Sequence, residues 1–413
     1  MTPPDRTDAS AARPVPPAEI RLVQSQADFD ALFAELRKEF RRDPLLAVDT
    51  EAASFHKYRD RIYLIQLSSR TTTAVVDPLA VGDLGALGQA LADPKIEILF
   101  HDADYDLRLF DHEYGFHATN LFDTRVASQL LNEPGIGLAA LLEKYLGLRL
   151  DKRFQRADWS ARPLSAEMLA YAAADTRYLP ELRDILKRQL DERARLPWAE
   201  EEFQHLEQVR WAAPSDTEPG FLRMKGAKAL KGRSLAVLRE LYEWREGLAK
   251  RQDKAAFRIM NNEPMLEMAK TPPTELEQLK AVRGIGHDLA ERRGREVLKV
   301  IQRALDLPES KWPRVERPPR RVPDPAFDER VDRLKAVRNR LAGELDLQPG
   351  VLCPNGTLEA IARREPTTFE ELDAVPEIRR WQVATIGKAL LDAVKGPPKP
   401  PKPPKPTEAS EPA

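Results

Sequence analysis

Residues 45–52, LLAVDTEA, join an apolar run to two carboxylates, and this junction constrains the fold more than any other short stretch. On a β-strand successive side chains point to opposite faces, so Asp49 and Glu51 share one face and lie roughly 6–7 Å apart along it. Like charges at the end of a buried strand repel each other unless a positive group neutralises them. The stretch therefore predicts a packed strand that ends in a site for a cation.

Short apolar runs alternate with amphipathic stretches between about residues 20 and 200. The pattern predicts strands at 45–51, 62–69, 72–77 and 96–101. It predicts helices at 27–40, 83–92, 103–114, 122–132, 138–146, 165–174 and 178–193. The first three strands follow one another closely, as in an antiparallel meander, and the fourth follows a helix. We expect an α/β domain with a mixed sheet flanked by helices.

From about residue 205 onward the sequence shows helical periodicity without strand signals. A core-facing stripe recurs at helical spacing at Leu235, Leu238, Leu241, Trp244 and Leu248. Segment 279–301 matches segment 372–394 at an offset of 93 residues. The repeat predicts two copies of a small all-α domain, at 218–308 and 325–395, joined by a Pro-rich linker at 309–324.

Composition narrows the class of protein. Residues 1–17 and 396–413 are rich in proline and are expected to be disordered. No apolar run reaches the length of a membrane span, and the first 20 residues lack the apolar core of a secretory signal. The single cysteine, Cys353, excludes an intramolecular disulfide framework and zinc sites built on paired cysteines. These features predict a cytoplasmic protein with no membrane partner.

The formal net charge of −1 conceals an asymmetry between the two halves of the chain. Residues 1–200 hold 26 basic and 32 acidic side chains, whereas residues 201–413 hold 39 basic and 34 acidic ones. A metal-binding catalytic domain joined to a polyanion-binding appendage would show this distribution. Solvated helix faces alone would also produce so small an imbalance.

Three further segments of the first half collect acids. ILFHDADYDLRLF carries an apolar strand into four polar side chains, His101, Asp102, Asp104 and Asp106. NLFDTR places Asp123 at a predicted helix start, where an N-cap role is sufficient. EMLAYAAADTRYL places Tyr171 and Asp175 four residues apart on one helix face. Oxygen ligands without a Cys or His cluster suit Mg²⁺ or Mn²⁺, and two such ions about 3.5–4 Å apart suit phosphodiester hydrolysis.

The order of the segments DTE, HDADYDL and YAAAD resembles the DEDDy branch of the DEDD 3′–5′ exonucleases. Residues 150–179, LDKRFQRADWSARPLSAEMLAYAAADTRYL, are similar to ribonuclease D in particular. The helical repeats resemble the helicase and RNase D C-terminal (HRDC) domain. The resemblance covers about residues 20–395. It implies an RNase H-like exonuclease domain at 18–205, followed by two HRDC-type domains.

The resemblance also implies a metal site. In that family, two carboxylates after the first strand and one aspartate in each of two later motifs hold two Mg²⁺ or Mn²⁺ ions. The corresponding residues here are Asp49, Glu51, Asp106 and Asp175. Asp106 is selected over its neighbours because it immediately precedes LRLF, as in the family pattern. Tyr171, four residues before the last ligand, would orient the attacking water.

The implied activity is that of a metal-dependent 3′–5′ exoribonuclease, which releases nucleoside 5′-monophosphates from RNAs with single-stranded 3′ ends, tRNA precursors first among them. Arg156, Trp159 and Arg162 are candidate contacts to the substrate. A structural role is open for each, and core packing is favoured for Trp159. Two alternatives remain: a DNA-directed 3′–5′ exonuclease of the Werner type with the same residues, and an RNA-binding scaffold without activity. No protein partner is predicted.

Overall fold

The computed structural model describes residues 13–14, 19–151, 153–213, 218–315 and 324–396. The described chain forms two compact units. One comprises the described residues within 1–125, 137–186 and 203–320, and the other those within 126–136, 187–202 and 321–413. The segments predicted to be disordered lie outside the described residues, except for Arg13–Pro14, which form a short strand, and Gly396. Most of the predicted linker, 316–323, also lies outside them.

Six strands form one mixed sheet in the order β2-β5-β4-β3-β6-β7. They are β2 (Arg21–Val23), β3 (Leu45–Ala52), β4 (Ile62–Ser68), β5 (Thr73–Val76), β6 (Glu97–Phe100) and β7 (Leu121–Asp123). Strands β3, β4 and β5 pair antiparallel, and the other pairings are parallel. A separate parallel pair joins β1 (Arg13–Pro14) to β8 (Leu148–Arg149). The predicted meander and mixed sheet are confirmed.

Eight α-helices accompany these strands. They are α1 (Gln26–Glu39), α2 (Gly85–Ala92), α3 (Asp104–Tyr114), α4 (Thr124–Leu130), α5 (Leu138–Leu146), α6 (Ala166–Arg177), α7 (Leu179–Glu192) and α8 (Leu196–Leu206). The prediction of a helix over 122–132 was wrong at its start, because Leu121–Asp123 pair with β6 as an edge strand. Strands of two or three residues, such as β2, β7 and β8, are too short to show a periodicity of two.

The helical half repeats element by element. The first copy contains α9 (Gly232–Gln252), α10 (Ala256–Ile259), α11 (Asn262–Lys270), α12 (Leu276–Ala281) and α13 (His287–Leu305). The second contains α14 (Pro325–Glu344), α15 (Pro349–Leu352), α16 (Asn355–Arg364), α17 (Phe369–Asp373) and α18 (Arg380–Lys395). Each helix of the second copy begins 93 residues after its counterpart. Short 3₁₀ turns occur at Gly220–Arg223, Ala227–Ala229 and Glu309–Lys311.

The repeat extends to a buried polar contact in each copy. Arg245 in α9 and Arg338 in α14 are almost fully buried. Each guanidinium donates to a backbone carbonyl and, at 2.7 Å, to the side-chain oxygen of the asparagine that begins the third helix of its copy, Asn262 or Asn355. A buried cation requires such partners. The two copies thus have the same helical fold.

Within the described ranges, no helix is long and apolar enough to cross a bilayer.

Candidate active site

Strand β3 delivers the first two carboxylates. In its pairing with β4, Asp49 lies opposite Gln66 and Glu51 opposite Leu64, and the register shifts between Glu51 and Ala52. Residues two apart on a strand share a face, and a bulge at the strand end changes the direction of the side chains beside it. Asp49 and Glu51 therefore point to the same side of the sheet at the place where regular pairing ends.

Helix α6 adds the tyrosine and the fourth predicted carboxylate. It begins after Ser165, whose side chain accepts a hydrogen bond from the third residue on. Small residues 172–174 are buried, which allows the helix to lie close to the sheet, and Thr176 is 2.8 Å from Ser68 of β4. As a result, Asp49, Glu51 and Asp175 each offer an oxygen within 4.8 Å of the others.

Asp106 completes the acidic site from the first turn of α3. Its side chain is 6% exposed and accepts a hydrogen bond of 2.5 Å from the hydroxyl of Thr50, which lies between Asp49 and Glu51 on β3. Asp106 is not part of the tight group of three, but after burial, the largest cause, its charge contributes to the raised pKa of both Asp49 and Glu51. The four predicted ligands are therefore brought together.

The neighbouring aspartates have other partners. Asp102 pairs with Arg125 at 3.0 Å, and Asp104 pairs with Arg108 one turn along α3 at 2.7 Å. Asp123 is buried at the end of β7 and accepts the backbone N–H groups of Asp102 and Ala103, so it holds the start of α3. The hydrogen-bond and ion-pair partners thus distinguish Asp106 from the acids beside it, which the sequence spacing alone could not do.

The electrostatics of the site favour the binding of cations, which would neutralise its buried carboxylates. Burial is the largest cause of the raised pKa of Asp49, followed by the charges of Asp106, Asp175 and Glu51. Burial also raises the pKa of Asp106 and of Asp175 to about 7. Carboxylate oxygens alone form the ligand set that Mg²⁺ and Mn²⁺ prefer. An oxygen of each of the three acids lies within 4.8 Å of the others, so the three lie near enough to share one ion. The residues present fit divalent metal ions.

Tyr171 faces the acids as a neutral phenol. Burial and the charges of Asp175, Glu51 and Asp49 raise its pKa well above the ordinary value for tyrosine. The ring lies 5.9 Å from Phe154 and 6.0 Å from Trp159, measured between ring centroids. The hydroxyl therefore keeps its proton at neutral pH, and the two rings limit the orientation of the side chain.

These groups open onto a cleft of about 540 Å³. It is lined by Asp49, Glu51, Tyr171 and Asp175, together with His101, Gly137, Leu138, Ala139, Ala140, Leu150, Asp151 and Gln155. Sequence reasoning did not select His101, Asp151 or Gln155 as site residues. Burial lowers the pKa of His101 to about 4, so it is neutral, and it lies 2.9 Å from the hydroxyl of Thr124. The only sequence feature that could have indicated a place for His101 in the site is its position directly after the apolar strand β6.

The three predicted substrate contacts differ in position. Trp159 is 1% exposed and packs in the core beneath Tyr171. Arg162 donates to Asp77 at 2.6 Å and to the backbone carbonyl of Tyr63 at 2.8 Å, so its guanidinium holds the chain in place. Arg156 is exposed beside Gln155 of the cleft. The guanidinium of Arg156 lies over the ring of Phe55 at 5.6 Å.

The raised pKa values of Asp106 and Asp175 predict how the stability of the metal-free protein depends on pH. Carboxyls whose folded-state pKa of about 7 exceeds the unfolded value of about 3.9 stabilise the fold below the latter, and this contribution is lost as pH rises through about 7. In EDTA, the melting temperature should therefore fall by a few degrees between about pH 5.5 and 8. Mg²⁺ should raise it most at the higher pH, because protons and metal compete for the same oxygens.

Asp175→Asn provides the matched control, because it removes one of the mutually repelling charges. Differential scanning fluorimetry of this variant in EDTA should show a weaker dependence on pH and a higher melting temperature than the parent at about pH 8. A metal-free parent whose melting temperature rises over this interval would contradict the acidic cluster as described.

Comparisons with known proteins agree with this site. Residues 20–191 match the family model for a 3′-5′ exonuclease, and residues 234–301 and 327–394 each match that for the HRDC domain. A ribonuclease D from Gluconacetobacter diazotrophicus is 32% identical over 376 residues, which cover 90% of this chain and 91% of that protein.

Two solved structures are similar over nearly the whole chain. One, from Bifidobacterium adolescentis, has a TM-score of 0.77 at 26% identity and covers 91% of this chain and 97% of that one. The other, Escherichia coli RNase D, is described as an exoribonuclease involved in structured RNA processing. It has a TM-score of 0.64 at 25% identity and covers 92% and 99%. With an exonuclease domain that presents clustered acids and two HRDC domains, the chain belongs to the ribonuclease D family and is a 3′–5′ exoribonuclease.

Proposed function

We propose that this enzyme uses two divalent metal ions, Mg²⁺ or Mn²⁺, to remove nucleoside 5′-monophosphates one at a time from RNA 3′ ends. The observation that supports this most directly is the group of Asp49, Glu51 and Asp175 oxygens within 4.8 Å of one another at the end of a cleft. Asp106 would be the fourth ligand. Metal ions held there supply Lewis-acid activation of water and stabilisation of the leaving oxygen.

The side chains of the site have distinct roles in the proposal. Thr50 holds Asp106 through its hydroxyl, so the carboxylate is aimed before a ligand arrives. Tyr171 would position the attacking water through a hydrogen bond from its phenol, which burial and the neighbouring carboxylates keep protonated at neutral pH in the metal-free site by raising its pKa. Trp159 and Phe154 limit the movement of the Tyr171 ring from below and from the side. Such preorganisation lowers the cost of reaching the transition state.

The substrate would be an RNA with an unpaired 3′ end. The cleft has the volume of a small-ligand pocket, which suits the terminal nucleotides of a single strand. Arg156, which is exposed and follows Gln155 of the cleft in sequence, is the proposed contact to the phosphate backbone. Precursors of tRNA remain the first candidate substrates by family resemblance, and a cytoplasmic setting is proposed with them.

The experiment compares a tRNA-like RNA that carries a 3′ tail with a single-stranded DNA of the same tail sequence, each with Mg²⁺, Mn²⁺ or EDTA. Stepwise shortening of the RNA, with nucleoside 5′-monophosphates identified by chromatography, is expected for the wild type and not for Asp175→Asn or in EDTA. Preferential shortening of the DNA would favour the Werner-type alternative. Tight RNA binding without cleavage under any metal condition would leave only the alternative of an RNA-binding scaffold without activity.

A further inference from the structure

Two exposed phenylalanines meet beside the active site. Phe55 lies in the loop between β3 and β4, directly after the metal-binding strand, and Phe257 lies on α10 of the first HRDC domain. Each is 46% exposed, and their rings meet edge to face with centroids 6.2 Å apart. Contiguous exposed apolar surface marks binding sites more often than single exposed apolar side chains do.

Two arginines flank the pair. The guanidinium of Arg156 lies over the Phe55 ring at 5.6 Å, and Arg258, next to Phe257, donates to the backbone carbonyl of Phe55. Both arginines are exposed, and neither forms an ion pair with a carboxylate among the residues that the structure describes. Their charge therefore remains available to a phosphate. Arg156 follows Gln155, and Phe55 follows the strand that carries Glu51, so both residues belong to chain segments that line the cleft.

The loop that carries Phe55 is held in place by the first HRDC domain. The backbone N–H of Ala255 donates to the carbonyl of His56 at 3.1 Å, and Lys57 pairs with Asp253 at 3.1 Å. On the other side, His56 contacts the backbone carbonyl of Arg156 at 3.1 Å. These contacts give Phe55 a defined position, which reduces the entropy that a ligand would otherwise lose on ordering it.

The HRDC fold itself does not require these side chains. At the offset of 93 residues, Phe257 and Arg258 correspond to Gly350 and Val351 in the second copy, where the helix is nevertheless formed. The aromatic ring and the guanidinium are thus specific to the copy that contacts the Phe55 loop. A role confined to packing within the HRDC domain would not explain that difference.

We propose that Phe55 and Phe257, with Arg156 and Arg258, form an aromatic platform that binds nucleotides of the single-stranded RNA upstream of its 3′ end. Bases stack on the open ring faces and the guanidinium groups contact the phosphates, a combination found where proteins bind single strands without sequence preference. The inference rests on the proposed function, since the strand on the platform is the one whose end occupies the cleft. The platform makes the enzyme favour RNAs with longer single-stranded tails.

The test uses the full chain with Asp175→Asn, in which the proposed function expects no degradation. Fluorescence anisotropy measures the dissociation constants of labelled oligo(A) of about ten and about three nucleotides in Mg²⁺. Phe257→Ala and Phe257→Leu should each weaken binding of the longer RNA roughly tenfold and reduce its advantage over the shorter one. The leucine variant keeps an apolar contact with Phe55, so loss of affinity there points to stacking and not to domain packing.

Phe369→Ala is the matched control, because Phe369 is 48% exposed on the second copy and lies outside the platform. It should bind both RNAs as the parent does. In Phe257→Trp, affinity should be retained and the added tryptophan fluorescence should be quenched by the longer RNA, a signal that a purely structural residue would not produce.

Unchanged affinity in both Phe257→Ala and Phe257→Leu, or an equal loss in Phe369→Ala, would overturn the platform. Failure of the proposed function is a separate result, since it would appear as a wild type that shortens no RNA. A wild type that degrades RNA, together with platform variants that bind normally, would disprove the platform alone.

Discussion

Asp106→Asn is expected to slow RNA shortening by about 10³-fold or more, whereas Asp104→Asn, two residues away, should leave the rate within about twofold. Loss of a ligand charge removes several kcal/mol of transition-state stabilisation, and each ~1.4 kcal/mol is a factor of ten in rate. Asp106 is buried and bonded to Thr50 at the acidic site, while Asp104 is half-exposed and paired with Arg108. Single-turnover rates on a labelled RNA measure the difference.

The same pair of variants separates a metal ligand from a structural acid. Mn²⁺ binding by titration calorimetry should weaken in Asp106→Asn and stay unchanged in Asp104→Asn. Circular dichroism and melting curves establish that both variants are folded. If Asp104→Asn were the inactive variant and Asp106→Asn retained activity, the selection of Asp106 as ligand would be wrong.

Tyr171→Phe is expected to lower kcat by about 10- to 100-fold while KM changes by less than about threefold. The substitution removes one hydrogen bond to an activated water, and hydrogen bonds to charged groups contribute about 1.5–3 kcal/mol. The ring that packs against Phe154 and Trp159 is retained, so the helix should keep its position. Steady-state kinetics on a short RNA give kcat and KM separately.

Tyr178→Phe is the control for removing a tyrosine hydroxyl, since Tyr178 is the C-cap residue of the helix that carries Tyr171. The hydroxyl of Tyr178 is buried, has no hydrogen-bond partner among the described residues, and does not line the active cleft. Its loss should leave both kinetic constants near the wild-type values. In Tyr171→Phe itself, Mn²⁺ affinity should be unchanged, because the phenol of Tyr171 is proposed to contact water and not the metal. An equal loss of kcat in both variants would remove the specific role given to Tyr171.

Several parts of this protein could be predicted from short-range patterns. The apolar run before Asp49 and Glu51 predicted a buried strand. Alternation of side chains along that strand placed the two carboxylates on one face, and both patterns involve only neighbouring residues. The match at an offset of 93 residues marked two helical copies, and all five helices begin at that spacing. The buried contact between Arg245 and Asn262, repeated in the second copy, was not predicted, because the partners of a polar side chain depend on packing.

The active site shows the same division. Asp49 and Glu51 were identified as a pair from their strand, and Tyr171 and Asp175 were placed on one helix face by their spacing, while the roles given to them came from the resemblance. The choice of Asp106 depended on resemblance, and the structure adds a physical reason in its contact with Thr50. Asp102, Asp104 and Asp106 have similar neighbours in the sequence, yet only Asp106 is directed to the acidic site in the folded chain.

Composition, periodicity and the repeat therefore determined that the chain contains a mixed sheet, two helical copies and an acidic site, because each of these is encoded over a few residues or by one regular spacing. Only the tertiary structure decided that Trp159 supports Tyr171 from the core, that Asp123 holds the start of α3, and that Phe55 meets Phe257. The physical reason is that the two phenylalanines are about 200 positions apart in sequence. Contacts over such separations arise from the packing of whole elements, and no local pattern records them.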